Sequence, residues 1–230
     1  MKTLLSFFLL IASFSCFAQF AIISDKDGFV NVRQENSASA KISDTLRNDH
    51  LIYCFENNGN WTNIDYTKHF KEKAGNGYVY KDRYKLISTY SKIPVSKQTS
   101  NTIVLLKDSL EISVTEESFD KTKHTLRFLK GQGSQIVFID GKDYYGTDGE
   151  LPKRQYRKIV VKVGQTIVTL PKEAIENLFE PDISSTQAYY DSKRNIIYLL
   201  SSNSDGAGSY EIIWKLENGI YKERLVAYGF

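Results

Sequence analysis

The chain has 230 residues, of which 41% are hydrophobic and 25% are charged, and its formal net charge is +3 with histidine neutral. Such a balanced charge does not predict nucleic acid as a partner. The length suits one or two domains, each able to bury a core of its own.

The first 18 residues have the parts of a secretory signal. Lys2 precedes an apolar run over residues 4 to 12, and small residues follow up to Ala18. The run is too short for a helix across a bilayer, which needs about 20 apolar residues. We therefore predict cleavage after Ala18 and export to the periplasm or the medium. Lipid anchoring through Cys16 is the less favoured alternative, because the bulky Phe14 stands two residues before it.

Removal of the signal leaves 29 basic against 27 acidic residues and one cysteine, Cys54. An internal disulfide is then excluded. Cys54 lies in the apolar run over residues 51 to 55, which favours a buried, inert thiol. No later run reaches the length of a transmembrane helix, so we expect no transmembrane segment after cleavage.

Short segments of alternating polarity fill the stretch from residue 20 to residue 87. Gly, Asn, Asp and Ser join them; six lie at residues 20–24, 28–33, 42–46, 51–56, 61–65 and 77–80, and the stretch closes at residues 84–87. Five or six short strands in fewer than 70 residues indicate a small β-barrel.

Residues 20–87 resemble the bacterial SH3-like domain that is found in exported proteins. The resemblance rests on GFVNVR at 28–33, SAS at 37–39, Leu46 with Asn48-Asp49, Trp61, GYV at 77–79 and the closing YKL at 84–86. The chain departs from the family at Asn60 and Asp44, where Gly is usual, and at Tyr78, which replaces a Trp.

The resemblance implies a barrel with a groove, between the loop after Arg33 and the hairpin near Trp61, where peptides or cell-wall fragments dock. Trp61, Tyr78 and Tyr80 are the candidate ligand-binding residues in this domain. A position in the core is the alternative for Trp61, whereas Tyr80 is expected to face away from the core, opposite to Val79.

Residues 88–101, STYSKIPVSKQTSN, are polar with one proline and are predicted to be a linker. A second β-rich domain is predicted over residues 102–230, with hairpin turns at 163–166, 191–195 and 217–220. Consecutive hairpins indicate an antiparallel sandwich or meander. One short helix is predicted over residues 171–179, because Pro171 suits a first turn and the apolar residues share one face.

Two acidic, glycine-rich loops, at residues 140–156 and 203–210, are further candidate binding segments. Long loops in compact domains tend to be functional. We predict ligand contacts from Tyr144, Tyr145, Asp148, Glu150 and Asp205. The alternatives are core positions for the rings, ordinary turns for the acidic residues and a calcium site, although the residue order does not match the helix-loop-helix calcium pattern.

The histidines give no sign of catalysis. His50, His69 and His124 are the only three, and they lie in no metal-ligand spacing and no nucleophile motif. We expect all three to be solvated, and we predict no catalytic residue, no metal and no cofactor.

These observations predict an exported, non-enzymatic binding protein of the cell envelope, which recognises a peptide, a cell-wall fragment or a protein partner through its SH3-like domain. The alternative is a secreted inhibitor or immunity-type protein that blocks an effector through the loop at 140–156. A hydrolase using the carboxylates of that loop is a weaker alternative.

Overall fold

The computed structural model of the protein describes residues 19–68, 74–131 and 134–228. The predicted signal segment and His69 lie outside these ranges. Within them the chain is mainly β, with antiparallel sheets and no helix of seven or more residues, so the prediction of a mainly β protein is confirmed. The same ranges contain no helix long and apolar enough to cross a membrane.

The N-terminal region forms one antiparallel sheet, which we call sheet A. Its strands are β1 (Gln19–Ile23), β2 (Phe29–Arg33), β3 (Ile42–Arg47), β4 (Leu51–Asn58), β5 (Trp61–Thr67), β6 (Ala74–Tyr80) and β7 (Tyr84–Leu86). They lie in the order β3-β2-β6-β5-β4-β1-β7. In the ranges that the structure describes, no pairing between the edge strands β3 and β7 closes the sheet, so the predicted barrel closure is not found.

Alternation along the strands of sheet A produces its inner core. Val30, Val32, Ile64 and Val79 are buried on one face, while the residues between them are more exposed. Gly77 lies where β6 crosses this core: a Cβ atom there would come within 2.5 Å of the Val32 side chain and 2.7 Å of a backbone oxygen. Glycine therefore allows β6 to approach β2 closely.

The rest of the chain forms two larger sheets and a hairpin. The strands are β8 (Ser91–Ile93), β9 (Val95–Gln98), β10 (Thr102–Lys107), β11 (Leu110–Ser118), β12 (Leu126–Phe128), β13 (Ile136–Ile139), β14 (Arg154–Val163), β15 (Thr166–Thr169), β16 (Gln187–Asp191), β17 (Ile196–Asn203), β18 (Tyr210–Glu217) and β19 (Ile220–Ala227). Sheet B has the order β19-β18-β17-β16-β8, sheet C has the order β15-β14-β11-β10-β9, and β12 pairs with β13. Short 3-10 turns lie at Ile87–Thr89, Lys121–Lys123, Lys172–Ala174, Ile183–Ser185 and Gly206–Gly208.

Sheet B lies between the other two sheets. On one face it shares a large core with sheet C, which includes Ile112 and Trp214. On its other face a second core joins Phe20 and Tyr53 of sheet A to Tyr198 of sheet B. Because both faces of sheet B are covered, β17 and β18 read as nearly continuous apolar runs rather than as alternations.

Polar contacts also join sheet A to sheet B. Arg194 forms ion pairs with Asp49 and with Asp191, and its guanidinium donates to the hydroxyl of Tyr90 at 3.1 Å. The ammonium of Lys215 donates to the backbone oxygen of Asp49 at 2.9 Å. The two regions therefore share a packed interface that includes hydrogen bonds.

The segment 88–101, predicted as a linker, carries two paired strands instead of free chain. Strand β8 pairs with β16 at the edge of sheet B, and β9 pairs with β10 at the edge of sheet C. The polar composition that suggested a linker is explained by position, since edge strands expose most of their side chains.

The helix predicted over residues 171–179 is wrong. Only Lys172–Ala174 form a 3-10 turn, and Asn177 has a positive φ of 58°. The carbonyl oxygen of Ala174, which a helix would use internally, accepts hydrogen bonds from Trp214 Nε1 at 2.6 Å and from Arg224 Nη1 at 3.1 Å. Side-chain donors from sheet B thus take the place of a helical hydrogen bond to this oxygen.

Candidate functional site

Three aromatic side chains predicted to bind a ligand lie together on the outer face of sheet A. Trp61 on β5 is the cross-strand partner of Tyr80 on β6, and their rings meet edge to face at 5.5 Å between centroids. Tyr78 lies two residues before Tyr80 and is the cross-strand partner of Arg33 on β2. We call the surface formed by the rings of Trp61, Tyr78 and Tyr80 and by the adjacent Arg33 the aromatic face.

Strand alternation explains why these rings point outward. Thr62 and Val79 turn inward and are fully buried, so their neighbours in sequence face the other side. Trp61 and Tyr80 are half-buried and belong to none of the apolar cores of the described chain. The structure therefore disagrees with a core position for Trp61, and it places Tyr80 opposite to Val79 as expected.

Polar side chains flank the aromatic face. The amide of Asn76 donates to the side-chain oxygen of Asn63 at 3.0 Å and to the carboxylate of Asp65 at 2.8 Å. The guanidinium of Arg33 donates to the backbone oxygen of Ala40 at 2.7 Å, which ties it to the loop after β2. Rings and hydrogen-bonding groups are thus presented on one surface.

The two glycine-rich loops meet in the structure. The hydroxyl of Ser204 donates to the backbone oxygen of Gly146 at 2.7 Å. A Cβ atom on Gly208 would lie 2.9 Å from the Cα of Thr147, so only glycine allows this backbone contact. Gly146 itself has a φ of 112° and lies against the backbone of Phe179. The glycines of these loops therefore serve close packing between segments.

The predicted ligand contacts of these loops do not converge on one site. Tyr144 joins a small core beside Phe179 and donates to the backbone oxygen of Ile136 at 3.1 Å. The Tyr145 ring packs between those of Tyr210 and Tyr228, at 5.6 and 5.5 Å.

The three acidic residues predicted in these loops are exposed. Asp148 and Glu150 border an open cleft with Leu126 and Phe128, whereas Asp205 lies on the other loop, outside that cleft. Within the described ranges, no three His, Cys, Asp or Glu side chains are grouped so that they could hold a metal ion.

A pocket of about 210 Å³ opens beside His124, and sequence reasoning did not find it. We call it the His124 pocket. It is lined by the end of β13, the start of β14 and the turn after Pro171; the lining residues are His124, Ile139, Asp140, Lys142, Gln155, Tyr156, Arg157, Lys172, Ile175, Glu176, Asn177, Leu178 and Phe179.

His124 is held by hydrogen bonds at both ring nitrogens. Its Nδ1 lies 2.7 Å from a carboxylate oxygen of Asp140, and its Nε2 lies 3.0 Å from the side-chain oxygen of Gln155. The amide nitrogen of Gln155 donates to Glu117 at 3.0 Å, which fixes the orientation of that amide. Both ring nitrogens therefore face side-chain oxygens, which fix the orientation of the ring.

Packing completes the placement of His124. Its ring stacks on Phe119 at 4.6 Å, and its side chain is only 16% exposed, so the expectation of a solvated histidine is wrong. Burial acts to raise the pKa of Asp140, but hydrogen bonds from the Thr125 amide and from His124 outweigh it and lower that pKa. Asp140 thus stays an anion that positions the imidazole.

His50 and Cys54, the other side chains considered for catalysis, are both buried. His50 is buried beside Tyr66, with 6.0 Å between ring centroids, so the expectation that it is solvated is wrong. Cys54 is buried, and burial raises the pKa of its thiol. A thiol held in its neutral form is a poor nucleophile, as the sequence predicted.

Comparisons with models of protein families, with curated proteins and with solved structures returned no match. The architecture therefore defines the class of the molecule: a mainly β protein in which a central antiparallel sheet is covered on both faces by further antiparallel sheets.

Proposed function

We propose that the protein is an exported, non-enzymatic binding protein whose sheet A is a variant SH3-like domain that recognises a peptide or cell-wall fragment through the aromatic face. One observation carries the proposal: Trp61, Tyr78 and Tyr80 lie side by side on the face of sheet A opposite its core. None of the three rings belongs to an apolar core of the described residues.

The chemistry of the aromatic face suits a ligand with both flat and polar parts. Aromatic side chains provide large contact area at little cost in conformational entropy. The side chains of Asn63, Asp65 and Asn76 provide donors and acceptors beside the rings. A peptide backbone or the amide-bearing sugars of a wall fragment match this combination.

The chain contains two tryptophans, which makes the proposal testable by fluorescence. Trp61 is half-buried on the aromatic face, whereas Trp214 is 0% exposed in the core. Titration of the chain without residues 1–18 with soluble peptidoglycan fragments should change the emission of Trp61 only. Co-sedimentation with purified peptidoglycan should show the same binding.

Substitution of Tyr80 tests the site itself. We expect Tyr80→Ala to weaken binding by about 1–2 kcal/mol, since it removes a ring at the centre of the aromatic face. The melting temperature should fall by no more than about 2–4 °C, because only the edge-to-face contact with Trp61 is lost. A collapse of the melting temperature would mean that the ring belongs to the core and that the site is wrong.

An alternative site for a protein partner lies at the open cleft beside Asp148 and Glu150. Phe128 and Leu151 are 47% and 45% exposed, and both line this one cleft, where they form an apolar surface. This observation favours the inhibitor or immunity-type alternative. Phe128→Ala is therefore the matched control: loss of binding in this variant but not in Tyr80→Ala would move the function to the cleft.

A further inference from the structure

The His124 pocket has an apolar floor under a charged rim. Ile139, Ile175 and Leu178 line its floor together with the rings of Tyr156 and Phe179, while the rim consists of His124, Asp140, Lys142, Arg157, Lys172 and Glu176. Small-molecule sites are mostly apolar and hold a few polar groups that fix orientation. This pocket has that composition, and it shares no lining residue with the aromatic face.

The floor is held in place by donors from sheet B, the partly buried Arg224 and the fully buried Trp214. Arg224 donates to the backbone oxygens of Ala174 and Glu176 at 3.1 and 3.0 Å, and to the side-chain oxygen of Asn177 at 2.7 Å. Trp214 Nε1 donates to the same oxygen of Ala174 at 2.6 Å. A site fixed in this way by a second layer of contacts is formed before a ligand arrives.

One cation of the rim, Lys172, makes no direct contact with an anionic group of the described residues, although its charge helps to lower the pKa of Asp140. Glu176 is paired with Lys142, and Asp140 is engaged by His124 and by the Thr125 amide. Arg157 lies 3.8 Å from Glu117. In the part of the chain that the structure describes, the ammonium of Lys172 is exposed and has no hydrogen bond or ion pair. Each acidic group of the rim thus has a closer partner than Lys172, whose ammonium acts on Asp140 only at longer range and can contact an added anion.

We propose that the His124 pocket binds a small amphiphilic anion, in which one aromatic or branched aliphatic group fills the floor and one carboxylate meets Lys172. The pocket is smaller than the roughly 300–1,000 Å³ of sites for drug-sized ligands, so it takes a single ring or side chain. This chemistry occurs in free small carboxylates and in the C-terminal residue of a peptide.

The test uses the chain without residues 1–18 and four probes. These are 3-phenylpropionate, its neutral amide, a short peptide that ends in phenylalanine with a free carboxylate, and the same peptide amidated. NMR spectra of the histidine rings report binding, because the chain has only three histidines. We expect a dissociation constant on the order of 1 mM for 3-phenylpropionate, with shifts at His124 and none at His50.

Two variants and one control test the contributions of the cation and of the apolar floor to binding separately. Lys172→Gln should weaken binding of 3-phenylpropionate at least fivefold. The neutral amide should likewise bind the unsubstituted chain at least fivefold more weakly than 3-phenylpropionate does. Lys162 is also exposed but lies on β14 outside the pocket, so Lys162→Gln should leave binding unchanged. Ile175→Phe fills the floor and should abolish the His124 shifts, while its melting temperature verifies that the chain still folds.

The outcomes decide the proposal and the source of the ligand. Tighter binding of the free-carboxylate peptide than of 3-phenylpropionate identifies a peptide C-terminus, and the reverse order identifies a free small anion; both support the pocket. Equal binding of acid and amide, or no shift at His124 up to the solubility of the probes, overturns the proposal. Neither result bears on the aromatic face, since Trp61 emission is measured independently.

Discussion

Sheets A and B differ in how much of their surface is covered. Sheet B packs against sheet C on one face and against sheet A on the other, so that Ile197 and Tyr198, adjacent in sequence, lie in different cores. Sheet A buries its inner face but leaves the strands β5 and β6 with a half-exposed outer face. Free surface suited to a macromolecular ligand therefore lies on sheet A.

The same difference explains which strands carry functional side chains. Most residues on β17 and β18 pack whichever way they point, so their identity is set by the core. On β5 and β6 every second residue faces outward and does not have to pack in a core. Large rings at Trp61, Tyr78 and Tyr80 thus need another explanation, and ligand binding provides one.

The largest expected effect tests the two tryptophans against each other. Trp214→Ala should lower the free energy of unfolding by about 3–5 kcal/mol, because the side chain is fully buried and its indole nitrogen is hydrogen-bonded to Ala174. Trp61→Ala should cost no more than about 1.5 kcal/mol. Urea unfolding followed by circular dichroism measures both variants, since it does not depend on tryptophan emission.

Similar losses in both variants would contradict the comparison. They would mean that the outer face of sheet A is as tightly packed as sheet B and offers no surface for a ligand.

Much of the fold could be predicted because local rules operate there. The alternation in β2 and β5 marked the strands of sheet A, and the Asn218-Gly219 turn has the positive φ values, 52° and 74°, that a tight hairpin between β18 and β19 requires. The helix at 171–179 could not be excluded locally. Its apolar spacing fits a helix, but Trp214 and Arg224, distant in sequence, supply the hydrogen bonds that make a turn.

One candidate site could be predicted from the sequence, whereas the other could not. The aromatic face follows from alternation, since Tyr80 must lie opposite to Val79 once β6 is recognised. The His124 pocket combines Asp140, Gln155 and a turn near Phe179, which only tertiary packing brings together. No periodicity links these positions, and a lone histidine after a Lys-Thr-Lys segment resembles an ordinary surface residue.

A smaller effect distinguishes the two faces of sheet B. The hydroxyl of Tyr210 faces sheet C and donates to the backbone oxygen of Phe179 at 3.0 Å, whereas the buried hydroxyl of Tyr198, toward sheet A, has no hydrogen-bond partner within the described chain. Tyr210→Phe should therefore cost about 1–2 kcal/mol of unfolding free energy, and Tyr198→Phe should add up to about 1 kcal/mol. Thermal unfolding of the two variants provides the comparison, and destabilisation by Tyr198→Phe would show that the hydroxyl is satisfied.

The smallest effect concerns how pH acts on sheets A and C. Burial raises the pKa of Glu116 on β11, against the opposing influence of Arg154, and one of its carboxylate oxygens has no hydrogen-bond partner in the described residues. The folded state then holds this proton more tightly than the unfolded state, so stability falls as the pH rises toward the folded-state pKa. In the loop between β1 and β2 of sheet A, a hydrogen bond from Arg83 lowers the pKa of Asp25, whose contribution to stability is present at neutral pH and is lost in acid.

Replacing Glu116 and Asp25 by their neutral amides should therefore change the free energy of unfolding in opposite directions. Glu116→Gln should raise the free energy of unfolding by up to about 1 kcal/mol at pH 8, and the gain should disappear near pH 4, because the wild-type carboxyl is then protonated. Asp25→Asn should destabilise the protein at pH 8, and its difference from wild type should shrink in acid. Urea unfolding across this pH range measures both. A loss of stability in Glu116→Gln at pH 8 would mean that its ion pair with Arg154 outweighs the burial of the charge, and that sheet C tolerates buried carboxylates as well as sheet A does.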